Sequence, residues 1–482
     1  MHQLEEDVPL RESRLWDLLL RYYNDLGATA WTKAKVPAFP TSNMAIADGY
    51  AQVIAAWAAE LGERVTVMEL GAGHGRFSHY CLRSLRSRGV DFRYLMTDAA
   101  PSNTAAWEKN PFLRPMFQLG LVSGRLHDAT APPPPVEGPL VVISNYCFDS
   151  LPADVFRLKR GALEEGHPIL SAKSPIGDDP SVLSELRLDF SFHPIEPEGY
   201  YGEPDLEAVL GAYRERMGSG TFCFPVGTLR GLKPLLAREA PTLLLSMDKG
   251  YSHLHDIAGE DTVGFARHGS ISFLVNYDAV AQLVQQAGGS VRLLETRQGP
   301  LEGGMFWTGG DCPATAAVFD EALSLFSPSD FHNLYNALYS LKKPKLKGVL
   351  ALLRLSRYDP TVFCNFYERV LGEASKAQPR WKRQVEVALE RVWDNAYPID
   401  GVPDVAFAVA RTYHRIGRYT RALERYQDSL DLAGAHPATH FNMGLCFHRL
   451  GQDLRARAEF NRALALDAGY GRARDWLVKL DA

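Results

Sequence analysis

The pattern of apolar positions changes three times along the chain, and the first segment is helical. Residues 10–62 carry two stretches with apolar side chains at helical spacing, separated by the Pro-containing loop VPAFPTS. In the second stretch the spaced residues are Ile46, Tyr50, Val53, Ile54 and Trp57, and Gly62 stands where a helix usually ends. The pattern predicts an N-terminal helical segment over residues 1–62.

In residues 63–325, short apolar runs alternate with helical patterns. VTVMEL, FRYLMTD, LVVISN and TLLLSMD are continuous apolar runs, typical of parallel strands buried on both faces of a sheet. Residues 157–240 interrupt this order with scattered glycines and prolines, and we interpret them as an insertion or a lid over the sheet. The predicted fold class is α/β, with a Rossmann-like sheet.

The last segment, residues 326–482, is helical and contains an internal repeat. An offset of 34 residues places Pro403 under Pro437, Ala410 under Gly444, Tyr413 under Phe447, Gly417 under Gly451, Ala422 under Ala456 and Tyr426 under Phe460. This period and this alternation of small and large residues indicate tetratricopeptide repeats over 403–436 and 437–470, with a closing helix over 471–482. Such repeats form a groove that binds proteins or peptides, so we expect a partner of that kind.

Composition and charge exclude several classes of protein. The 482 residues are 46% hydrophobic, and 52 Lys and Arg stand against 57 Asp and Glu, so phosphate attraction does not drive a nucleic-acid contact. Six cysteines, none of them in a Cys-x-x-Cys pair, fit a reducing compartment and argue against a disulfide framework or structural zinc. With an acidic N-terminus and no long apolar run, these features predict a cytoplasmic protein without a membrane contact, while the oligomeric state stays open.

A glycine loop follows the first predicted strand. Glu69 ends this strand, and Gly71, Gly73 and Gly75 precede a predicted helix in MELGAGHGRFS. Glycines let the backbone turn sharply and approach a ligand closely. The spacing differs from the dinucleotide pattern G-x-G-x-x-G, and an acid beside the loop would repel a pyrophosphate. The loop therefore favours a cationic or amino-bearing ligand.

Two further acids end the next predicted strands. Asp98 closes RYLMTD at the position where doubly wound folds place an acid for ribose hydroxyls, and Asp128 closes GRLHD. A single acid at a strand end is more often a cap than a ligand contact. Three acids in series converge on the crevice where such sheets bind ligands, and this convergence favours a binding site.

The chain resembles class I S-adenosylmethionine-dependent methyltransferases, and more narrowly the MidA family. That family includes the mitochondrial complex I assembly methyltransferase, which modifies an arginine. The resemblance covers roughly residues 20–310 and rests on segments that occur in the family's order: 39–57, 68–78, 143–158, 246–252, 268–280 and 295–301. The repeat region lies outside it.

The resemblance implies a role for each matched position. Glu69, Gly71, Gly73 and Gly75 would cradle the methionine part of S-adenosylmethionine, Asp98 the ribose and Asp128 the adenine end. Asn145 and Asp149 would border the methyl-transfer site, with Asn145 also beside the cofactor. The sulfonium is already activated, so the protein's task is to align the acceptor and to orient or deprotonate it.

Three departures from the family pattern bear on the substrate. Asn43-Met44 and Asn145-Tyr146 stand where the family has Pro-Glu and Asn-Glu, and Lys249 replaces a tyrosine. Carboxylates suit an arginine substrate, so loss of the acids at positions 44 and 146 leaves arginine methylation open. The leading hypothesis is a methyltransferase that acts on a protein or peptide side chain. The alternatives are a small-molecule methyltransferase of a biosynthetic pathway and a cofactor-binding pseudoenzyme scaffold.

One further pattern concerns metal binding. His253-x-His255-Asp256 resembles part of an HxHxD motif, but no matching distant ligands accompany it. We interpret these residues as loop contacts at the mouth of the cleft and predict no metal site.

Overall fold

The structure, a computed structural model, describes residues 2–27, 30, 39, 41–172, 183, 185–267, 270–294, 301–325, 327–399 and 401–481. The chain divides into two compact units, residues 1–330 and 331–482, and we describe each by itself. Within the described ranges, every helix is too short or too polar to cross a membrane. The family segment at 295–300 and residues 268–269 of the segment before it lie outside the described residues.

A central mixed sheet forms the core of the first unit. Its strands lie in the order β14-β15-β10-β5-β2-β3-β4, and β13 pairs with β10. The strand bounds are β2 Val65–Leu70, β3 Phe92–Asp98, β4 Val122–Leu126, β5 Leu140–Asn145, β10 Thr242–Tyr251, β13 Val275–Asn276, β14 Ser290–Leu293 and β15 Leu301–Thr308. Only β15 among these runs antiparallel to its neighbours, β10 and β14. The order reverses between β2 and β5, and the predicted Rossmann-like α/β sheet is confirmed.

Helices cover both faces of this sheet, as buried parallel strands require. The helices of the first unit are α1 Leu15–Leu26, α2 Met44–Leu61, α3 Arg76–Ser87, α4 Pro101–Trp107, α5 Arg114–Gln118, α6 Pro204–Arg216, α7 Val226–Leu236, α8 Tyr277–Gln286 and α9 Pro313–Phe319. Helix α2 begins at its cap Asn43, which accepts a hydrogen bond from the Ile46 amide, and ends at Gly62 with φ of 66°. The end predicted at Gly62 is therefore confirmed.

The insertion is a second sheet rather than an irregular segment. Strands β6 Asp154–Lys159, β7 Ala162–Ala172, β8 Arg187–Ile195 and β9 Gly220–Phe224 are joined by β1 His2–Glu5 from the N-terminal segment. Gly166 and Pro168 lie inside β7 and Pro194 lies inside β8, and these residues, which are more typical of turns, concealed the strands in the sequence. Residues 226–236 form α7, which belongs to the crossover between the parallel strands β5 and β10. A short hairpin, β11 Phe265–Arg267 and β12 Ile271–Phe273, completes the described strands.

The second unit is helical throughout the residues that the structure describes. Its helices are α10 Pro328–Tyr339, which spans the boundary between the units, α11 Leu346–Leu355, α12 Pro360–Asn365, α13 Tyr367–Ala374, α14 Pro379–Asp394, α15 Val405–Arg415, α16 Tyr419–Ala433, α17 Pro437–Arg449, α18 Asp453–Leu466 and α19 Gly471–Asp481. Gly444 on α17 lies directly against the Phe460 ring of α18. In the preceding helix pair, Phe407 of α15 contacts Tyr426 of α16, with the ring centroids 5.8 Å apart.

Candidate active site

The glycine loop turns the chain from β2 into α3. Gly71, Gly73 and Gly75 have φ of 64°, 54° and 82°, a region that glycine enters without strain. A Cβ on Gly71 would lie 3.2 Å from Cys147 Sγ, so its backbone approaches the end of β5 closely. The three predicted glycines therefore have a structural reason for their positions. Of the three, Gly71 lines the cavity described below.

Asp98 ties this loop to the end of β3. Its Oδ2 accepts a hydrogen bond from the Gly73 amide, and its Oδ1 accepts one from the Ala100 amide, each at 2.8 Å. Burial raises the pKa of Asp98, and the two amide hydrogen bonds oppose that rise. An ionised carboxylate has about four acceptor positions, so the two amides leave capacity for a ligand hydroxyl.

Glu69 lies behind the loop and is not among the described residues that line the cavity. Its Oε2 accepts hydrogen bonds from Ser78 Oγ at 2.5 Å and from Tyr94 OH at 2.7 Å. Burial raises the pKa of Glu69 to about 7. These contacts fix β2 to β3 and α3, and the contact of Glu69 with the cofactor stays a prediction.

A cavity of about 280 Å³ lies at the carboxyl ends of the parallel strands, next to the reversal between β2 and β5. This is where open α/β sheets bind ligands. The described lining residues are Trp16, Asp17, Leu19, Leu20, Tyr23, Gly71, Asp98, Ala99, Ala100, His127, Asp128, Ala129, Thr130, Tyr146, Cys147, Asp149, Ser150, Leu151, Pro152, Lys249, Ser270 and Ser272. The sheet brings four predicted site residues together here: Gly71, Asp98, Asp128 and Asp149.

The other predicted residues lie beside this cavity without lining it. Asn145 Oδ1 accepts a hydrogen bond from Tyr50 OH of α2 at 2.7 Å, and Asn145 is not among the described lining residues. Gly73 and Gly75 form the turn, and Gly73 acts through its amide on Asp98. The role of Asn145 in catalysis stays a prediction, because its side chain is engaged by Tyr50 in this structure.

Asp128 and Asp149 reach the cavity from different strands. After β4, Asp128 Oδ1 accepts hydrogen bonds from the Thr130 amide at 2.8 Å and the Thr130 hydroxyl at 2.7 Å. After β5, Asp149 Oδ1 accepts one from Ser150 Oγ at 2.9 Å. These local bonds fix both carboxylates at the cavity edge.

Asp248 and Lys249 follow the last β10 residue that pairs with β5, and they complete a charged cluster that the sequence prediction did not include as site residues. Asp248 Oδ2 accepts a hydrogen bond from the Asp149 amide at 3.1 Å. Burial raises the pKa of both carboxyl groups, and Asp149 raises that of Asp248 further. Burial also lowers the pKa of Lys249, which the two carboxylates oppose. Asp248 ends the apolar run TLLLSMD, and this position in the sequence could have identified it as a candidate site residue.

Helix α1 forms a wall of the cavity, which the sequence did not indicate. Trp16, Leu19, Leu20 and Tyr23 line it, and Tyr23 OH donates to Ser270 Oγ at 3.3 Å. Among the residues that the structure describes, none between 157 and 240 lines the cavity. The described residues of the predicted insertion or lid therefore make no contact with the cavity, and its role as a lid stays a prediction.

Tyr146 and Cys147 carry the chain out of β5. Tyr146 has φ of 48°, a left-handed conformation that is uncommon for a bulky residue, and its ring lies 5.5 Å from Lys249 Nζ. Burial raises the pKa of the Cys147 thiol, which keeps the sulfur protonated and unreactive. Cys147 thus packs against Gly71.

The cavity lining is acidic. Asp17, Asp98, Asp128 and Asp149 supply carboxylates, whereas Lys249 is the one lysine or arginine among the described lining residues. Burial lowers the pKa of His127, which therefore stays neutral near pH 7. This balance repels a pyrophosphate and suits a cationic ligand.

No protein-family model and no curated protein matches the chain. Solved structures do. An S-adenosyl-homocysteine complex of a COG1565 superfamily member from Burkholderia thailandensis is 16% identical, with a TM-score of 0.45, and covers 64% of this chain and 90% of that one. A S-adenosylmethionine-dependent methyltransferase from Aquifex aeolicus is 14% identical, with a TM-score of 0.28, and covers 58% of this chain and 97% of that one.

These similarities are distant, and we base the functional proposal on the cavity itself. The sheet order, the single antiparallel strand and the position of the cavity all belong to this chain. At the level of the fold, they agree with the resemblance to class I methyltransferases that the sequence indicated.

Proposed function

We propose that this protein is an S-adenosylmethionine-dependent methyltransferase. The observation that carries the proposal is the convergence of Gly71, Asp98, Asp128 and Asp149 on one cavity, each from the end of a different parallel strand. The antiparallel β15 between β10 and β14 distinguishes this sheet from the wholly parallel dinucleotide-binding order.

The residues present fit the proposed cofactor. Gly71 has no Cβ at a point where a side chain would meet Cys147. Its bare backbone suits a close contact with the methionine part of the cofactor. Asp98 has acceptor capacity for the ribose, and Asp128 stands at the end of β4 for the adenine. The acidic lining suits a sulfonium and an ammonium. When bound, S-adenosylmethionine supplies an activated methyl group.

The cluster after β5 and β10 is suited to hold the acceptor. Asp149 lines the cavity, and the buried Asp248 carboxylate fixes the Asp149 backbone from behind. A carboxylate whose pKa is raised is a better proton acceptor near neutral pH than an exposed one. Asp149 would therefore orient an acceptor amine or guanidinium and take its proton, with Lys249 and Tyr23 bounding the same space.

We favour a protein or peptide side chain, with arginine as one candidate, as the acceptor. The acidic lining supports a basic group, and Asp149 with Asp248 supplies carboxyl groups that positions 44 and 146 lack. The helical pairs of the second unit support recruitment of a peptide, by analogy with tetratricopeptide repeats.

A small-molecule acceptor is the second candidate, because one observation favours it. Trp16, Leu19, Leu20 and Tyr23 of α1 give the cavity an apolar wall, which would suit a compact organic substrate. A protein side chain must reach the cavity past this wall.

One experiment separates these readings. Labelled methyl from S-adenosylmethionine is supplied to a cell lysate with the protein, and the label is measured in macromolecules and in small molecules. Asp149→Asn serves as the catalytic control, and Asp91→Asn, an exposed acid before β3, serves as the matched surface control. Label in protein supports the proposal, label in small molecules supports the second candidate, and no label with cofactor bound contradicts both.

A further inference from the structure

Three side chains with metal-binding atoms converge on the insertion sheet, away from the cavity lining. Asp7 follows β1, His167 lies on β7 and His193 lies on β8. In the register of β7 with β8, Glu165 pairs with His193 and His167 pairs with Ser191. Residues two apart on a strand share a face, so all four side chains lie on one side of the sheet. Strand β1, which also pairs with β7, brings Asp7 to them.

The ligand atoms are spaced as a metal ion requires. His167 Nδ1 lies 3.0 Å from Asp7 Oδ1, and His193 Nε2 lies 3.7 Å from the same oxygen. All three ligand atoms lie within 4.8 Å of one another. Bonds of about 2.0–2.2 Å to zinc place neighbouring ligand atoms roughly 3.3 Å apart. The observed distances of 3.0 and 3.7 Å lie on either side of this value.

The second ring nitrogen of His167, Nε2, contacts a buried carboxylate. His167 Nε2 lies 3.0 Å from Glu165 Oε2, and Glu165 is buried and paired with Arg11 Nη1 at 3.0 Å. A histidine that donates its Nε2 hydrogen to a carboxylate presents the Nδ1 lone pair on its other side. Carboxylate–histidine pairs of this kind stand behind metal-ligating histidines and orient them.

The lone pair of His167 then faces an acceptor. With Nε2–H directed to Glu165, Nδ1 and Asp7 Oδ1 are two acceptors only 3.0 Å apart. Two acceptors at that distance repel each other unless a proton or a cation lies between them. The ring of His193, with its centroid 4.4 Å from that of His167, adds a second imidazole to the same point.

We propose that Asp7, His167 and His193 bind one Zn²⁺ ion, with water in the remaining positions. Two imidazoles and one carboxylate suit zinc among the common divalent ions, whereas calcium and magnesium prefer oxygen ligands alone. The ion would tie the segment after β1 to β7 and β8. That segment continues directly into α1, which forms a wall of the cavity.

The test is titration of Zn²⁺ into untagged, chelator-treated full-length protein, followed by calorimetry. We expect one ion per chain, a thermal midpoint raised by Zn²⁺, and affinity weakened more than about 100-fold in His193→Ala. The estimate follows because even a carboxylate behind a ligating histidine is worth about 10- to 100-fold. His193 is half-exposed, so its removal leaves the core intact.

His255→Ala is the matched control, because His253 and His255 also stack, at 5.2 Å, beside Asp256. Its affinity should equal that of the wild type, and Asp7→Asn gives a second test outside the strands. Absence of Zn²⁺ binding would overturn the proposal. Equal affinity in the wild type and His193→Ala would overturn it as well.

Discussion

The Oδ2 atom of Asp98 accepts a hydrogen bond from the Gly73 amide, with 2.8 Å between the two atoms. One carboxylate therefore fixes the glycine loop after β2 to the end of β3, in addition to any contact with a ligand. Asp98→Asn turns an acceptor into an amide donor that faces either the Gly73 or the Ala100 amide. We expect cofactor affinity to fall at least tenfold and the free energy of unfolding to fall by about 1–3 kcal/mol, because a buried donor loses its partner.

Calorimetric titration of S-adenosylmethionine and urea unfolding check this expectation. Asp91→Asn is the control, because that acid is exposed and pairs with Arg64 on the surface. Unchanged affinity in Asp98→Asn would mean that Asp98 serves the loop alone.

Glu69 should make stability depend on pH. Burial raises its pKa to about 7 in the folded protein, above the ordinary value of 4.5 for a glutamate side chain. Between these values the folded state binds more protons than the unfolded state, so the stabilising contribution is full below about pH 4.5 and is lost as the pH rises through 7. The size is up to about 3 kcal/mol, from 1.36 kcal/mol per pKa unit.

Glu69→Gln isolates this contribution from the other buried acids. We expect the wild type to lose stability relative to the variant when the pH rises from 5 to 8. Urea unfolding at both values measures it. A difference that is the same at pH 5 and pH 8 would contradict the raised pKa.

Asp149 and Asp128 should affect different steps. Asp149→Asn removes the proton acceptor at the cavity, and we expect kcat to fall about 100- to 10,000-fold while cofactor affinity changes less than threefold. Asp128→Asn keeps the turn with Thr130 but weakens one polar contact, so cofactor affinity should fall about tenfold. Steady-state kinetics and calorimetry on both variants separate the two roles. The reverse pattern would show that the assignment is inverted.

Two helical glycines of the second unit should respond oppositely to alanine. A Cβ on Gly444 would lie 2.5 Å from Phe460 Cε1, so Gly444→Ala forces α17 and α18 apart at a cost of about 1–3 kcal/mol. Gly372 on α13 has nothing within 4 Å of that position, and Gly372→Ala should stabilise by about 0.5–1 kcal/mol. Urea unfolding gives both signs. Stabilisation by Gly444→Ala would contradict the close packing of these helices.

Removal of residues 331–482 should separate recognition from cofactor binding. We expect S-adenosylmethionine affinity within threefold of the full chain, because every described lining residue belongs to the first unit. Turnover of a protein substrate should fall more than tenfold if the second unit recruits it. Full turnover after truncation would place recognition in the first unit.

The sequence predicted β2, β3, β5 and β10 of the central sheet, because these strands contain continuous apolar runs. Asp98 and Asp128 could be placed together from the rule that parallel strands end at one edge, whereas Asp149 was indicated by the family resemblance alone. The direction of a side chain at a strand end could not be predicted in the same way. Glu69 and Asn145 occupy such ends, yet their side chains accept hydrogen bonds from Tyr94 and Tyr50, and neither residue is among the described lining residues.

The insertion and the cavity wall were harder to predict for a different reason. Strand β1 pairs with β7, about 165 residues later, and no local pattern reveals a partner at that distance. The contribution of α1 depends on the same pairing. Asp248 was visible as an acid at a strand end, but its contact with Asp149 joins two strands that are distant in the sequence.

The pairing of β1 with β7 sets an order on the maturation of the site. His2 pairs with Ala172, so strand β1 has no partner during synthesis until residue 172 has left the ribosome. By then β2, β3, β4 and β5 have all emerged, and the glycine loop and its acids can take their places first. The segment that leads into α1 therefore waits for the insertion sheet, and Lys249, Ser270 and Ser272, which are synthesised later still, complete the cavity lining.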